Sequence, residues 1–161
     1  MICIRLLFVG AKPKEAWELL AEVYRRRLAK RVRWEEVRIP LALGRQKDPK
    51  GAALREGKAL LAHLSPQDRL VALDERGSLW TTEDLARYLQ AHPVIVPLVF
   101  AIGSDLGLSQ EVKSQAHHLW SLSPLTLPHE MVRVLVMEQI YRALDFLAGG
   151  KYHRSSSPRG V

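Results

Sequence analysis

The sequence predicts an α/β fold: a mostly parallel five-stranded sheet with helices on both faces. Segments with the composition of buried strands alternate along the chain with segments of helical periodicity, as in open α/β sheets. The apolar run 94–102 has no polar alternation, which is typical of a parallel strand buried on both faces. A length of 161 residues suits one domain, predicted at 1–154, and the polar residues 155–161 are predicted to form a flexible tail.

The first half of the chain begins with a strand at 2–9, which Gly10 ends. A helix is predicted at 14–31, because Trp17, Ala21 and Leu28 recur on one face. An imperfectly alternating strand at 33–39 follows. A long polar connection then leads to a helix at 52–64.

The second half continues with a strand at 69–74, which an Asp-Glu-Arg-Gly turn at 74–77 is expected to stop. The next helix, 82–91, has Thr81 or Thr82 as its N-cap and ends before Pro93. Pro97 is awkward inside the strand 94–102, since proline cannot donate to a ladder; a bulge or an edge position would explain it. A short helix at 109–118, a strand at 119–122 and a long helix at 130–147 complete the pattern.

The charge balance favours polyanionic partners. The formal net charge is +7 and the pI is about 9.9, which suits RNA, DNA or anionic lipid but also an ordinary soluble protein of high pI. The single cysteine, Cys3, excludes disulfide frameworks and cysteine zinc sites. The first apolar run is too short to span a membrane. We therefore expect a cytoplasmic protein without a metal or a membrane contact.

The predicted sheet also indicates where a ligand would bind. In such sheets, ligands occupy the carboxyl ends of the strands near a topological switch point. The loops at these ends are 74–77, 103–107 and 123–129. This argument locates a site and leaves the ligand open.

The sequence after the short strand is distinctive. Residues 119–129 read Leu-Trp-Ser-Leu-Ser-Pro-Leu-Thr-Leu-Pro-His, and Val-Arg-Val-Leu follows at 132–135. With Glu138, Tyr-Arg-Ala at 141–143 and Tyr-His-Arg at 152–154, this segment resembles the ribosomal RNA large-subunit methyltransferase H (RlmH) family of the SPOUT superfamily. The resemblance extends to Leu73, Gly103 and the N-terminal Val-Gly, so it covers nearly the whole chain to Arg154.

The resemblance implies a C-terminal trefoil knot that holds S-adenosyl-L-methionine (SAM), and a homodimer. It further implies methylation of N3 of a pseudouridine in the helix 69 loop of 23S ribosomal RNA, on the assembled ribosome. The family's cofactor-binding positions correspond to eight residues here: Leu73, Gly103, Leu122, Ser123, Pro124, Leu125, Thr126 and Leu127.

Gly103 is expected to let the backbone approach the cofactor without a Cβ in the way. The family often has Ile-Gly-Gly-Pro-Glu-Gly where this chain has Ile-Gly-Ser-Asp-Leu-Gly at 102–107. This departure at Ser104, Asp105 and Leu106 puts the shape of the turn, and a contact made by it, in doubt.

Candidate catalytic residues are Glu138, Arg142 and His153. Glu138 and Arg142 lie four apart on the long helix, so a plain ion pair is the structural alternative. Histidine side chains can exchange a proton near neutral pH, so His153 suits a base or a phosphate contact, whereas the alternative is a frayed basic tail. The general base is left open.

Candidate RNA-binding residues are Arg26, Lys30, Tyr152, His153 and Arg154. Arg26 and Lys30 belong to a basic cluster at 25–33, which exceeds what one helix C-terminus needs, although the helix dipole and solvation account for part of it. The basic segment 44–50 is a weaker candidate.

Two other functions remain open. The chain could be a SAM-binding or ribosome-associated protein without turnover, given its altered turn at 103–107. It could also be a SPOUT methyltransferase that acts on another RNA.

Overall fold

The structure is a computed structural model that describes residues 1–154. Five strands, β1 to β5, form one sheet in the order β2-β1-β4-β3-β5, and all four pairings are parallel. The strands are Cys3–Val9, Arg33–Ile39, Arg69–Leu79, Leu98–Ile102 and His118–Ser121. The helices α1 to α5 are Glu15–Leu28, Pro49–Leu61, Thr82–Ala91, Gln110–Gln115 and His129–Leu147. The predicted α/β class and the five-stranded sheet are confirmed.

Helices cover both faces of this sheet. Side chains alternate along β1, so Leu6 and Phe8 belong to a core beneath α1, α3 and α5, whereas Leu7 and Val9 belong to a core beneath α2 and α4. The fully buried β4 contributes to both cores. Residues 98–102 of the apolar run therefore occupy the predicted position, whereas Val94 and Ile95 precede the strand and are exposed.

Some boundaries differ from the prediction. β4 begins at Leu98, so Pro97 precedes the strand, and its carbonyl accepts a hydrogen bond from the Arg69 N–H at 2.9 Å. No bulge or edge position is needed to accommodate it. α2 begins at Pro49 rather than at residue 52, because Asp48 caps it by accepting from the Gly51 N–H. α1 ends at Leu28, three residues earlier than expected.

The predicted stop of β3 at residue 74 is wrong in an informative way. Both Leu73 and Ser78 are paired with Trp120, so residues 74–77 loop out and the strand then resumes to Leu79. Gly77 makes the return possible: a Cβ on it would lie 2.6 Å from the Leu119 carbonyl carbon and oxygen. The Asp-Glu-Arg-Gly segment is therefore an excursion within one strand.

Two predictions are not decided by the fold. The trefoil knot stays a prediction from family resemblance. The predicted flexible tail falls on residues 155–161, which lie outside the described residues. Within residues 1–154, no helix has both the length and the apolar composition needed to cross a membrane. The same residues contain no group of three or more metal-ligating side chains.

Candidate functional site

A cavity of about 490 Å³ opens at the carboxyl ends of β3, β4 and β5. Its volume is within the range of small-molecule sites. Three segments supply most of its wall: the excursion after Leu73, the turn after Ile102, and the loop after Ser121. Because parallel strands end at the same edge, these segments meet although they are far apart in sequence. The three loops predicted from the strand ends thus form one site.

The predicted cofactor residues converge on this cavity, with one exception. Leu73, Gly103 and all of the loop 122–127 except Pro124 line it. The first turn of α5 closes one side with His129 and Val132. The assignment to SAM itself remains a proposal.

The structure shows a second requirement for glycine at position 103, besides the expected approach to the cofactor, which stays a prediction. A Cβ on Gly103 would lie 2.6 Å from the Gly107 carbonyl carbon and 2.7 Å from the Leu108 nitrogen. These are protein backbone atoms, so glycine is required for the turn to close on itself. Gly107 completes the turn with φ at +76°, where L side chains are strained.

The turn at 103–107 is held by side chains from outside it. The Gly107 N–H donates to the Ser104 carbonyl at 2.9 Å. Ser104 Oγ donates to Glu56 Oε1 at 3.0 Å, and Asp105 pairs with Arg45. The hydrogen bond from Arg45 lowers the pKa of Asp105, so this carboxyl is ionised at neutral pH.

The loop after β5 is shaped by short hydrogen-bonded links. Ser121 Oγ donates to the Ser123 carbonyl at 2.9 Å, and the Leu125 N–H donates to Ser123 Oγ at 3.0 Å. Thr126 Oγ1 donates to Glu75 Oε2 at 3.2 Å, which ties this loop to the β3 excursion. Leu125 lines the cavity yet is 71% exposed, so its side chain is available to a ligand or partner at the rim.

The β3 excursion contributes charge that the assignment of individual residues had missed. Asp74, Glu75 and Arg76 line the cavity, as does Lys113, which forms an ion pair with Asp74 at 2.8 Å. Burial raises the pKa of Asp74, but hydrogen bonds from Lys113 and from the Arg76 N–H outweigh it, so the pKa lies below its ordinary value. The rule that ligands bind after strand ends had predicted that the segment 74–77 belongs to the site. The family resemblance had indicated only Leu73 as a site residue there.

The predicted catalytic pair lies elsewhere. Glu138 accepts hydrogen bonds from Arg142 Nε at 2.8 Å and from the Tyr152 hydroxyl at 3.1 Å, and none of these residues lines the cavity. Tyr24 on α1 joins the group, with its hydroxyl 3.4 Å from that of Tyr152. Burial and the hydrogen bond with Tyr24 raise the pKa of Tyr152, which keeps this phenol protonated.

His153 is packed against the protein. Its Nε2 lies 3.1 Å from Glu83 Oε1 on α3, its ring meets Phe146 edge to face, and its side chain is only 11% exposed. Its Nδ1 is buried without a partner among residues 1–154. The neighbouring Arg154 is exposed. The frayed-tail alternative does not describe His153.

The basic cluster is largely neutralised within the chain. Arg25, Arg31 and Arg33 form ion pairs with carboxylates. Arg26 pairs with Glu22 at 2.8 Å but is 78% exposed, and such an exposed pair adds little to stability. Lys30 forms no ion pair within residues 1–154. The two predicted RNA contacts in this cluster, Arg26 and Lys30, are thus more available to phosphates than Arg25, Arg31 and Arg33 are.

Comparisons with known proteins agree on one family. The family described as predicted SPOUT methyltransferase matches residues 2–153. The ribosomal RNA large subunit methyltransferase H of Gloeobacter violaceus is 44% identical over 150 residues, covering 93% of this chain and 97% of that protein. The protein of the same name from Pseudomonas aeruginosa is 41% identical over 153 residues, covering 94% and 99%.

Solved structures show the same fold. A probable methylase family protein from Haemophilus influenzae matches with a TM-score of 0.57 at 13% identity, covering 94% of this chain and 70% of that one. A probable methyltransferase from Bordetella pertussis matches with a TM-score of 0.53 at 16% identity, covering 89% and 95%. At this level of identity, the likeness concerns the fold alone.

Proposed function

The chain belongs to the SPOUT methyltransferase family, and we propose that it is a SAM-dependent methyltransferase of large-subunit ribosomal RNA. The observation that carries this proposal is 44% identity to a ribosomal RNA large subunit methyltransferase H over nearly the full length of both chains. The acceptor we propose is N3 of a pseudouridine in the helix 69 loop of 23S rRNA, on the assembled ribosome, as the family resemblance implies. Because this substrate lies in the cytoplasm, we propose that the protein acts there.

The cavity suits SAM in shape and in chemistry. Leu73, Leu122 and Leu127 offer apolar surface for the adenosine part, and the loop 122–127 offers backbone donors and acceptors. Glu75 offers negative charge that would favour the cationic sulfonium and ammonium of SAM, whereas the charge of Asp74 is matched by Lys113. Trp120 lines the same cavity and has an indole N–H without a partner among the described residues. When bound, SAM supplies a methyl group on a positively charged sulfur.

The protein's own contribution is positioning and removal of one proton. Transfer of this methyl group to N3 would leave a neutral thioether and would release the N3 proton, for which the protein must provide an acceptor. Glu138 is the carboxylate that we propose for orienting or accepting this proton, with Arg142 and Tyr152 holding it. We assign to His153 a contact with the nucleotide.

A homodimer would bring these two groups of residues together. Glu138 and Arg142 lie further along α5 than the first turn, which lines the cavity. One face of α1, beside Tyr24, exposes three large apolar side chains: Leu19, Leu20 and Val23. A group of exposed apolar side chains on one helix face usually marks an interface. We propose that a second copy packs on this face, so that the Glu138 cluster of one subunit serves the cavity of the other.

We further propose that Arg26, Lys30, Tyr152, His153 and Arg154 contact the RNA. Each phosphate contact that is lost should flatten the dependence of log Kd on log salt by about 0.7–0.9. Charge reversal at Arg26 and Lys30 together should therefore reduce this slope for ribosome binding. Glu75→Gln, which removes a charge at the cavity, serves as the control and should leave the slope unchanged.

The direct test uses ribosomes that lack the modification. The protein is incubated with them and SAM, and the rRNA is mapped by primer extension, because an N3-methyl group blocks the Watson–Crick face and stops reverse transcriptase. We expect a SAM-dependent stop in the helix 69 loop. A stop at another position would indicate another RNA target, and SAM binding without any stop would indicate a binding protein without turnover.

Mixed dimers test the shared site. Gly103→Ala is designed to impair the cavity and Glu138→Gln the cluster, so each variant alone should have little activity. If the cluster acts on the partner's cavity, mixing the two variants should restore activity, because one site in each mixed dimer is intact. Mixing that leaves activity at the level of the separate variants would refute the shared site.

A further inference from the structure

The segment that connects β2 to α2 reaches the cavity wall through one side chain. Arg45 lies 3.3 Å from Ser104 Oγ through its Nη2, which also pairs with Asp105. Its Nε is 3.6 Å from Glu56 Oε1 on α2. One guanidinium thus touches both the turn at 103–107 and the helix behind it.

Glu56 is an unusual residue for its place. It is only 4% exposed, and a carboxylate so far from water requires a charged or hydrogen-bonding partner. Ser104 Oγ donates to it at 3.0 Å, and Arg45 supplies the compensating charge. The Ser104 hydroxyl also accepts from the Leu106 N–H at 3.2 Å, so the buried carboxylate is linked through one hydroxyl to the backbone of the turn.

These contacts are the turn's side-chain attachments to the rest of the molecule. Within residues 1–154, the side-chain hydrogen bonds that leave 104–107 go to Arg45 and Glu56. The backbone of the turn adds one internal bond, from Gly107 to Ser104. The two residues that depart from the family pattern, Ser104 and Asp105, are therefore the ones that contact Glu56 and Arg45.

We propose that Arg45 and Glu56 are positioning residues for the cofactor, which hold the turn at 103–107 in the shape that lines the cavity. This inference rests on the proposed binding of SAM there. Neither residue lines the cavity, so each acts through Ser104 and Asp105. Loss of the contacts that Arg45 and Glu56 make with Ser104 and Asp105 should loosen the turn and weaken cofactor binding. The methyl-transfer step should stay intact once SAM is bound.

The test measures the Kd for SAM by calorimetry, together with KM for SAM and kcat on unmodified ribosomes. For Arg45→Met we expect Kd and KM to rise about tenfold, roughly 1.4 kcal/mol. We expect kcat at saturating SAM to stay within about twofold, as for a residue whose loss affects binding alone. Arg45→Lys keeps the charge near Asp105 and should recover part of the affinity. The control is Arg87→Met on α3, which removes an exposed ion pair with Asp84 and should change neither constant.

A second variant, Glu56→Gln, tests the same role in case Arg45→Met does not fold. Glu56→Gln keeps an acceptor for Ser104 but removes the charge that Arg45 faces, and it should also raise the Kd. If wild-type protein binds SAM and both variants bind it equally well, the positioning role is refuted. A fall in melting temperature for Arg45→Met and Arg45→Lys alike, with kcat lost in proportion, would assign a purely structural role and overturn it too. Absence of SAM binding by the wild-type protein would instead overturn the proposed function.

Discussion

Replacing Gly103 by alanine is the sharpest single test of the cavity. The added methyl group would meet the Gly107 carbonyl carbon at 2.6 Å, the Leu108 nitrogen at 2.7 Å and the Gly107 oxygen at 3.0 Å. All three are backbone atoms of the same turn, so no side chain can rotate away to make room. Gly103→Ala must therefore open the turn.

The expected magnitude follows from these distances. Ordinary contacts of a Cβ begin near 3.4 Å, so residues 107 and 108 must withdraw by several tenths of an ångström. Overpacking of this kind costs about 1–3 kcal/mol. Because the turn forms one wall of the cavity, we expect the free energy of SAM binding to weaken by a similar amount, about ten- to a hundredfold in Kd.

The assay is calorimetric titration with SAM, combined with thermal unfolding. Gly10→Ala is the matched control: it makes the same substitution at the end of β1, next to β4, where the nearest atom to the new Cβ is His129 Nε2 at 3.4 Å. It should bind SAM almost as the wild type does. If Gly103→Ala also binds SAM with unchanged affinity and stability, either the turn is looser than the geometry implies or the cofactor does not use this wall.

Three further predictions concern stability. Arg133→Met removes a 5%-exposed guanidinium that bonds Glu36 at 2.6 Å, and it should lower the free energy of unfolding by about 3 kcal/mol, the lower end for a broken buried pair because Arg25 still neutralises Glu36. Burial raises the pKa of Glu36, but hydrogen bonds from Arg25, Trp34 and Arg133 outweigh it, so the pKa is lowered. The stabilisation is therefore present above the unfolded pKa and is lost as the pH falls through the lower, folded pKa. Glu36→Gln should flatten the fall in melting temperature as the pH drops below the ordinary carboxyl range. Thr81→Ala removes half of the capping box at the start of α3 and should cost about 1 kcal/mol in chemical denaturation. Unchanged unfolding of Arg133→Met, an unaltered acid limb for Glu36→Gln, or full stability of Thr81→Ala would contradict the respective argument.

The sequence pattern predicted the existence and type of the five strands and five helices among the described residues, because each element has a local signal such as a helical period or an apolar run. Where a predicted start of a helix or strand was wrong, a specific contact in the structure sets the observed start. α2 starts at Pro49 because Asp48 caps it, and β4 starts after Pro97 because the proline carbonyl, rather than a missing N–H, meets β3. The resumption of β3 after residue 77 depends on close approach to β5, a long-range contact that no local pattern contains.

The candidate site also has parts that the sequence predicts and parts that depend on long-range contacts. The rule that ligands bind at strand ends brought three loops together without any knowledge of their side chains. It could not show that Arg45 from the β2–α2 segment reaches the turn at 103–107, since that contact depends on where a long loop folds back. It also could not show which basic residues are neutralised. Arg31, for example, pairs with Asp145, 114 residues away.

The separation of the Glu138 cluster from the cavity follows from helix geometry. His129 lines the cavity in the first turn of α5, and α5 runs on to Leu147. At about 1.5 Å per residue, Glu138 is about 9 Å along the helix axis from Val132, which also lines the cavity, and Arg142 is about 15 Å from it. A glutamate side chain is shorter than this distance, and Glu138 does not line the cavity of its own chain. Either it acts in the cavity of a partner or it is a structural ion pair, and restored activity in mixed dimers distinguishes the two.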